Sequence, residues 1–263
     1  MLEYFFVFII GLFIGSFLNC VVWRIYNKES FLKGNSKCPH CLHKLSASDL
    51  VPLLSYAVLN GKCRYCGKSI SSQYPLVEIF TGLIFLLVFY ALGAPVVFGV
   101  HFLELLFYLV ISSYFIMIFL FDFRWYIIPD GLTFSGIAIT ILWLFLGTFG
   151  MHIYTETDFL MRFIVAFCVF LIFFALWFFS SGKAMGFGDV KLVILLGLLL
   201  GWPQILPAMF ISFSVGALVG IVAIILKRKK MKSQIPFGPF LVLGSFIGIF
   251  WGEQIFNWYL GLI

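Results

Sequence analysis

Eight apolar runs divide this chain, and a polar or glycine-containing segment separates each run from the next. Most approach the roughly 20 residues that an α-helix needs to cross a bilayer, and they lie at about 4–23, 75–92, 97–121, 131–149, 159–179, 190–200, 205–226 and 237–259. Charged residues make up only 11% of the sequence, against about 25% in soluble domains, so a water-soluble fold could not bury this surface. The sequence therefore predicts an all-α, polytopic integral membrane protein with about eight transmembrane helices. The run at 190–200 is short and is expected to begin within the glycine-rich turn before it.

The basic residues between these runs predict the orientation of the chain. With eight spans, sixteen of the 17 Lys and Arg residues fall on one side of the membrane, and only Arg162 falls on the other. The positive-inside rule then places the N-terminus outside and the first long loop in the cytoplasm. The basic run at 227–232 is expected to be a cytoplasmic anchor beside the lipid headgroups. The net charge of +6 is thus a topology signal, and nucleic-acid binding is not expected.

The first apolar run has neither a positively charged start nor a small-residue cleavage site after it. A cleaved signal peptide normally has both features. The run is therefore expected to remain in the protein as its first transmembrane helix.

Four cysteines in the first polar segment, residues 24–73, are spaced as metal ligands. Two Cys-x-x-Cys pairs are separated by 21 residues, and each can present two thiolates to one tetrahedral ion; the predicted ligands are Cys38, Cys41, Cys63 and Cys66. A reducing cytoplasm disfavours disulfides, although paired disulfides, free thiols or a histidine ligand from His40 or His43 remain alternatives. A shell of four thiolates has no open position for water, so the predicted zinc ion is structural. Cys20 and Cys168 lie in apolar runs and are expected to pack there.

Acidic side chains in or beside membrane helices cost roughly 2.5–3.5 kcal/mol to insert, which makes them functional candidates. The chain has six of them: Glu78, Glu104, Asp122, Asp130, Asp189 and Glu253. The three aspartates fall at the cytoplasmic ends of predicted helices. Asp130 follows a proline and precedes an apolar run, which is typical of a helix cap, so a structural role is predicted for it. Asp122 and Asp189 remain as a candidate catalytic pair.

Each member of this pair also has a simpler interpretation. Asp189 ends the sequence Gly-Phe-Gly-Asp, in which Gly186 and Gly188 are expected to let the backbone turn sharply; it could instead cap the following helix. Asp122 could be a solvated charge at a helix end, paired with Arg124. If the two aspartates meet, like charges at short range cannot both ionise easily, so the pair holds one proton. One aspartate then activates water, while the other hydrogen-bonds the scissile carbonyl and serves the leaving amine.

Motifs along nearly the whole chain resemble those of the type IV prepilin peptidases, a GxGD class of membrane aspartyl proteases. In order they are GSFLN at 15–19 with VVWR at 21–24, PLLSY at 52–56, GKCRYCG at 61–67, ISSQYPLVE at 70–78, D-x6-PDGLT at 122–133, GFGDVKL at 186–192 and IPFGPFL at 235–241. Any one of them alone is weak, but their order together with the predicted topology is highly specific. Cys20 departs from the family, which usually has an aliphatic residue at that position.

The resemblance implies a function. Members of this family cleave the short basic leader of prepilins and pseudopilins after a glycine, at the cytoplasmic face of the bacterial inner membrane. Many then N-methylate the new terminal residue with S-adenosylmethionine. The family's catalytic aspartates correspond to Asp122 and Asp189, and the residues tied to methylation correspond to Gly61 and Lys62. The implied division is a first transmembrane helix, a cytoplasmic zinc-binding loop domain and a membrane aspartyl peptidase domain, at 1–23, 24–73 and 74–263.

Several roles and alternatives stay open at the level of sequence. Glu78 could pair with the leader's positive charge or with Arg24, and the IPFGPF turn could shape the site or only start a helix rigidly. A peptidase-only GxGD protease is one competing function. Another is an intramembrane aspartyl protease with a different substrate, preflagellin-type or presenilin-like, against which the zinc loop and GSFLN argue. A transporter is another, but it would have carboxylates near helix midpoints and repeated halves. Methylation rests on the resemblance alone, because no glycine-rich dinucleotide-binding fingerprint is present.

Overall fold

The computed structural model describes residues 2–30, 34–94, 99–183, 185–226 and 235–262. Over these ranges it contains nine α-helices: α1 (Leu2–Tyr26), α2 (Leu54–Val58), α3 (Gln73–Ala91), α4 (Val100–Trp125), α5 (Asp130–Phe145), α6 (Glu156–Phe179), α7 (Phe187–Leu200), α8 (Ile205–Ile225) and α9 (Gly238–Leu260). A 3-10 turn, Ala47–Leu50, precedes α2, and a π-helical turn, Leu146–Gly150, continues α5. Strands are absent from this part of the chain, where β pairing is limited to two isolated bridges. The predicted all-α class is confirmed.

Seven helices in the described ranges are long and apolar enough to cross a membrane, namely α1, α3, α4, α5 with its π turn, α6, α8 and α9. The helix α7 has only 14 residues, or about 21 Å at 1.5 Å per residue, which is less than the hydrocarbon thickness of a bilayer. The chain is therefore a multi-pass membrane protein, and the number of eight crossings stays a prediction. As expected, α7 begins inside the glycine-rich turn before position 190. The predicted anchor at 227–232, Lys33 and the first residues of the run at 97–121 lie outside the described ranges.

The chain divides into two compact units, Met1–Met117 and Ile118–Ile263. In the first unit α1 approaches α3 closely, because small residues line the contact. Cβ atoms on Gly11 and Gly15 would lie 2.6 and 2.8 Å from Cα atoms of α3. One turn further, the side-chain amide of Asn19 donates to the carbonyl oxygen of Tyr74 at 3.3 Å. A glycine at every fourth position followed by a hydrogen-bonding side chain is typical of membrane helix pairs, and it accounts for the glycine and asparagine of GSFLN.

In the second unit, α8 and α9 pack through a longer stripe of the same kind. Gly244, Gly248 and Gly252 recur every four residues along α9. A Cβ atom on Gly244 would overlap the carbonyl group of Ala208, and Cβ atoms on Gly248 and Gly252 would lie 2.9 and 3.0 Å from side-chain atoms of Ala208 and Gln204. This close contact fixes the axis of α9 against α8, and with it the position of the N-terminal end of α9.

An arginine of α6 caps the C-terminal end of α7. Arg162 donates from Nη1 to the carbonyl oxygens of Leu198, at 3.2 Å, and Leu199, which are among the carbonyl groups that a helix end leaves without an intrahelical partner. Both leucines are buried, so bulk water does not satisfy these groups. Arg162, the one basic residue predicted on the opposite side of the membrane, therefore stabilises the helix that carries Asp189.

Candidate active site

The Gly-Phe-Gly-Asp sequence forms the first turn of α7, and Asp189 is its third helical residue. Gly186 has extended backbone angles, φ −74° and ψ 151°, and precedes the first helical residue. Gly186 therefore occupies the capping position that one interpretation assigned to Asp189. Neither Gly186 nor Gly188 has a positive φ, so a sharp left-handed turn is not the reason for glycine. At Gly188 the reason is space, because a Cβ atom there would lie 3.0 Å from the Cβ atom of Ile128.

Asp122 lies near the end of α4 and is buried, with 6% of its surface exposed. Its Oδ2 atom accepts a hydrogen bond of 2.8 Å from the backbone amide of Gly238, the first residue of α9. A Cβ atom on Gly238 would lie 2.7 Å from the same oxygen, so a larger residue would push the carboxylate and the helix end apart. Arg124 lies over the ring of Trp125, 4.9 Å from its centroid. Asp122 is thus a buried group and not a solvated charge at a helix end.

The structure brings Asp122 and Asp189 together. The charge of Asp122 acts directly on the carboxyl group of Asp189, and each residue is 6% exposed. The backbone amide of Gly186 faces the Asp189 carboxylate, but the Oδ1 atom of Asp189 is buried and meets no hydrogen-bond partner among the described residues. Two buried like charges that act on each other disfavour double ionisation, which favours a state of the pair with one proton. Such a pair offers a base and an acid side by side.

Asp130 and Lys191 form an ion pair beside this site. Asp130 is the first residue of α5, and its Oδ1 atom binds the Nζ atom of Lys191, two residues beyond the aspartate of α7. The ammonium group also lies 5.5 Å from the ring centroid of Phe187 and 6.0 Å from that of Phe134. The predicted helix cap is wrong, because Pro129 occupies the N-cap position of α5 and no side chain caps the helix there; Asp130 instead links α5 to α7 through Lys191.

In the first unit, four sulfur atoms converge as metal ligands would. The Sγ atoms of Cys38, Cys41, Cys63 and Cys66 all lie within 4.8 Å of one another, and those of Cys38 and Cys66 are 4.0 Å apart. Thiolates bound to a tetrahedral zinc ion at about 2.3 Å lie about 3.8 Å from one another, so the cluster fits such an ion. The group contains no histidine from the described residues, and His43 stacks on Tyr65 with ring centroids 3.8 Å apart.

The surroundings shift the pKa values of two of these thiols in opposite directions. Burial alone would raise the pKa of Cys38, but the backbone amides of Cys41 and His40 and the neighbouring thiols lower it to about 7. The amide of Lys68 lowers the pKa of Cys66, whereas burial and the three other thiols raise it to about 11. A thiolate therefore forms readily at Cys38 but not at Cys66, because negative charges on neighbouring sulfur atoms repel. A divalent cation removes this conflict, so the donor set fits a metal better than free thiols.

The same turn is built twice around the cysteines. A residue with left-handed backbone angles follows each Cys-x-x-Cys pair: Leu42 has φ 59° and Gly67 has φ 69°. Their amides both donate at 2.9 Å, to the carbonyl oxygens of Cys38 and Cys63 respectively. Only the second turn has the residue type that adopts this conformation without strain.

Asp49 stabilises the second of the two cysteine turns through hydrogen bonds. Its carboxylate accepts hydrogen bonds from Arg64 at 2.7 Å and from the hydroxyl of Tyr65 at 3.0 Å. Burial opposes ionisation of Asp49, but bonds from Ser46, Tyr65 and Arg64 outweigh it and lower the pKa to about 2. The sequence analysis did not identify this residue, although it lies in the polar segment between the two cysteine pairs.

Gly61 and Lys62 directly precede the second cysteine turn. Gly61 has φ +66°, and a Cβ atom on it would lie 3.1 Å from the ring of Tyr56, so both backbone conformation and space favour glycine. Lys62 pairs with Ser69 in an isolated bridge just before Cys63. These contacts give both residues a structural explanation, and their role toward a methyl donor stays a prediction.

Glu78 is buried on α3 and contacts the polar segment. Its Oε2 atom accepts a hydrogen bond of 2.9 Å from the backbone amide of Leu53, and the hydroxyl of Ser16 also binds the carboxylate. Leu53 precedes α2 with φ 59°, a strained conformation for leucine that persists only when its surroundings hold it. This partner, the backbone amide of Leu53, is neither of the two partners considered from sequence, which were the positive charge of the leader and Arg24.

Gly238 is the residue of the aspartate site that the sequence analysis missed. The IPFGPFL motif left two interpretations, a turn that shapes the site and a rigid helix entry, and both apply. Pro239 stands in the first turn of α9, where a missing amide costs nothing, and the amide of Gly238 binds Asp122. The available signal was a glycine directly before a proline at a predicted helix start.

Two known families match this chain in succession. Residues 9–92 match the family designated "Bacterial Peptidase A24 N-terminal domain", and residues 109–221 match the "Type IV leader peptidase family". The four cysteines lie within the first match and both aspartates within the second.

Full-length relatives carry one common name, "Prepilin leader peptidase/N-methyltransferase". The protein of Aeromonas hydrophila is 32% identical over 278 residues, which cover 97% of this chain and 92% of its own length. Those of Pseudomonas aeruginosa and Legionella pneumophila are 32% and 29% identical, and they cover 96% and 98% of this chain and 91% and 96% of their own length. No solved structure matches the chain.

Proposed function

The chain belongs to the type IV prepilin leader peptidase family, and from that premise we propose that it is a prepilin peptidase and N-methyltransferase. It removes the leader of a type IV prepilin or pseudopilin at the cytoplasmic face of the bacterial inner membrane and then methylates the new terminal amine. The observation that carries the proposal is the buried pair Asp122 and Asp189, with one carboxylate oxygen that has no partner among the described residues. An unsatisfied polar atom inside a protein calls for a functional explanation, and a reacting water or substrate group is one.

The proposed reaction is hydrolysis by one base and one acid. The ionised aspartate accepts a proton from water as the water oxygen attacks the scissile carbonyl carbon. The protonated aspartate donates to the carbonyl oxygen, giving a neutral tetrahedral intermediate. When the C–N bond breaks, the proton held by the first aspartate passes to the leaving amine, and one hydroxyl proton of the intermediate returns to the second. The pair ends in its starting state with no covalent intermediate.

The charge pattern of the chain suits this substrate class. A prepilin N-terminal segment has a positive leader followed by an apolar helix, so its helix lies in the bilayer while the cut bond lies at the membrane surface. Asp122 and Asp189 stand at a helix end and a helix start, where a bond at that depth can reach them. The one-sided distribution of Lys and Arg supports a cytoplasmic placement of both aspartates and of the cysteine cluster.

We assign a structural zinc ion to the four cysteines. A complete thiolate shell leaves zinc no free position for water or substrate, so the ion supplies folding free energy and not catalysis. Between the end of α1 and the start of α3, the described part of this segment contains only short helical turns, and a metal gives such a segment a defined shape. Gly61 and Lys62, at the start of the second turn, are the residues that we associate with S-adenosylmethionine, the methyl donor that the family implies.

Peptide cleavage tests the proposal. The substrate is a synthetic peptide with a basic leader, a glycine and the first part of an apolar helix, and the purified protein is held in lipid nanodiscs. We expect Asp122→Asn and Asp189→Asn each to lower kcat/KM by at least about 10³-fold. Glu253→Gln, which changes an exposed carboxylate of α9, serves as the control with unchanged cleavage. Cleavage at the control rate by either aspartate variant would overturn the pairing.

Labelled S-adenosylmethionine separates the proposed function from its alternatives. Label on the new N-terminus of the cleaved product supports both activities, whereas cleavage without label indicates a peptidase only. A protein that binds ions but cleaves no peptide would favour the transporter.

A further inference from the structure

The two aspartates of the candidate site have different surroundings. Asp122 Oδ2 accepts the 2.8 Å bond from the Gly238 amide, at the start of a helix of 23 residues. Asp189 has the amide of Gly186 on one side, yet its Oδ1 atom is sealed from solvent without a hydrogen-bond partner among the described residues. Within the pair, only this oxygen combines full burial with the absence of a partner in the described ranges.

These surroundings favour opposite protonation states. An ionised carboxylate with a buried, unbonded oxygen loses its hydration without compensation, a cost of several kcal/mol. A protonated carboxyl group in the same place has a hydrogen to donate, and the neighbouring carboxylate is an acceptor. For Asp122 the amide bond from Gly238 stabilises the anion. The positive end of a helix dipole acts on both aspartates, because Asp189 lies in the first turn of α7, so the dipoles do not distinguish them.

We propose that the shared proton resides on Asp189 and that Asp122 is the ionised base, with Gly238 as the residue that establishes this asymmetry. The proposal rests on the proposed function and assigns its two roles: Asp122 takes the proton from the attacking water, and Asp189 donates to the scissile carbonyl. Gly238 acts through Asp122 and is therefore a positioning residue.

The two cations nearest to the pair in sequence each have a partner outside it. Lys191 is bound by Asp130, and the Arg124 guanidinium lies over the Trp125 ring. The turn before α9 is instead held in place by aromatic packing, because the ring of Phe237 lies 5.0 Å from that of Phe213. The difference between the two aspartates therefore comes from the bond of the Gly238 amide to Asp122 Oδ2 together with the buried, unbonded Oδ1 atom of Asp189.

Infrared difference spectroscopy locates the proton without requiring catalysis. Protein labelled with ¹³C-aspartate at neutral pH is compared as wild type, Asp122→Asn and Asp189→Asn, and the isotope-shifted C=O stretch of a protonated carboxyl group is followed. We expect the band to disappear in Asp189→Asn and to remain in Asp122→Asn. The reverse pattern, or the same outcome in both variants, contradicts the assignment, while the cleavage results still decide the proposed function separately.

Gly238→Ala tests the positioning role. The added Cβ atom would lie 2.7 Å from Asp122 Oδ2, so we expect kcat to fall about 100-fold, as when one preorganised donor is lost, with KM changed by less than about threefold. Gly131→Ala is the matched control, since a Cβ atom there meets nothing within 4 Å. Equal kcat values for the two variants would exclude a positioning role. If Gly238→Ala does not fold, the spectroscopic comparison still decides the assignment.

Discussion

The cysteine cluster and the aspartate pair are both assembled from short motifs, but they differ in how completely their polar groups are satisfied. In the cluster, four sulfur atoms converge on one point, and backbone amides support their ionisation. In the pair, the charge of Asp122 acts on the buried carboxyl group of Asp189, and one oxygen has no partner among the described residues. Native proteins rarely leave buried polar groups unsatisfied except where function requires it. The difference supports the proposal that the cysteine cluster stabilises the fold and that the aspartate pair carries out the reaction.

The largest expected effect that sharpens this comparison is loss of the metal. Cys63→Ser removes a buried ligand, and structural zinc contributes roughly 10 kcal/mol or more to the folding of small metal-binding domains. We expect zinc content, measured by elemental analysis, to fall from one ion to near zero, with a lower unfolding temperature. Cleavage at low temperature should fall by less than about tenfold, because the ion supplies shape and not chemistry. Abolished cleavage in a protein that remains folded would give the cluster a direct role in hydrolysis.

A smaller effect is expected at the ion pair beside the aspartates. Asp130→Lys and Lys191→Asp should each lower kcat/KM about tenfold, because each leaves like charges facing one another between α5 and α7. The double exchange restores opposite charges and should recover most of the activity. If the double variant loses as much kcat/KM as the two single losses multiplied together, the ion pair does not couple the two helices.

Smaller still is the difference between the two turns around the cysteines. Leu42 and Gly67 have nearly the same φ, but leucine is strained there by about 1 kcal/mol. Leu42→Gly should therefore raise the affinity for zinc slightly, and Gly67→Leu should lower it by about the same amount. Competition with a chelator measures this affinity. If both variants change zinc binding equally and in the same direction, the side chains at these positions determine its strength, and the backbone angles do not.

The smallest effect is expected at Asp49, whose carboxylate binds two side chains of the second cysteine turn. Because the pKa of Asp49 is lowered to about 2, its stabilisation is present above its unfolded value near pH 4 and is lost only as pH falls toward 2. Arg64 is half exposed, so solvent weakens the ion pair. Asp49→Asn should weaken zinc retention by a few-fold at most, and by the same factor at pH 6 and pH 8. A factor that changes between these values would point to another titrating group.

The features that could be predicted from sequence are those that residue type and spacing encode. Long apolar runs predicted the helices, Cys-x-x-Cys spacing predicted the sulfur cluster, and costly acids in apolar surroundings singled out Asp122 and Asp189. The start of α7 was also anticipated within its glycine-rich turn.

The features that could not be predicted depend on backbone groups meeting across the chain. The amide of Gly238 reaches Asp122 over 116 positions, and Arg162 reaches the carbonyl groups at the end of α7. Every residue except proline has the same backbone amide and carbonyl groups. The types of residue in a sequence therefore do not predict such a contact. Packing of the glycine stripes decides where these groups lie.

The most direct test of the central claim is single-turnover cleavage of a prepilin peptide by zinc-loaded Asp189→Asn protein, with metal content and helix content measured on the same sample. We expect full zinc occupancy, an unchanged helical spectrum and no detectable product over a time in which the wild type converts all of its substrate. Product formation at the wild-type rate would contradict the claim that the two aspartates perform the hydrolysis.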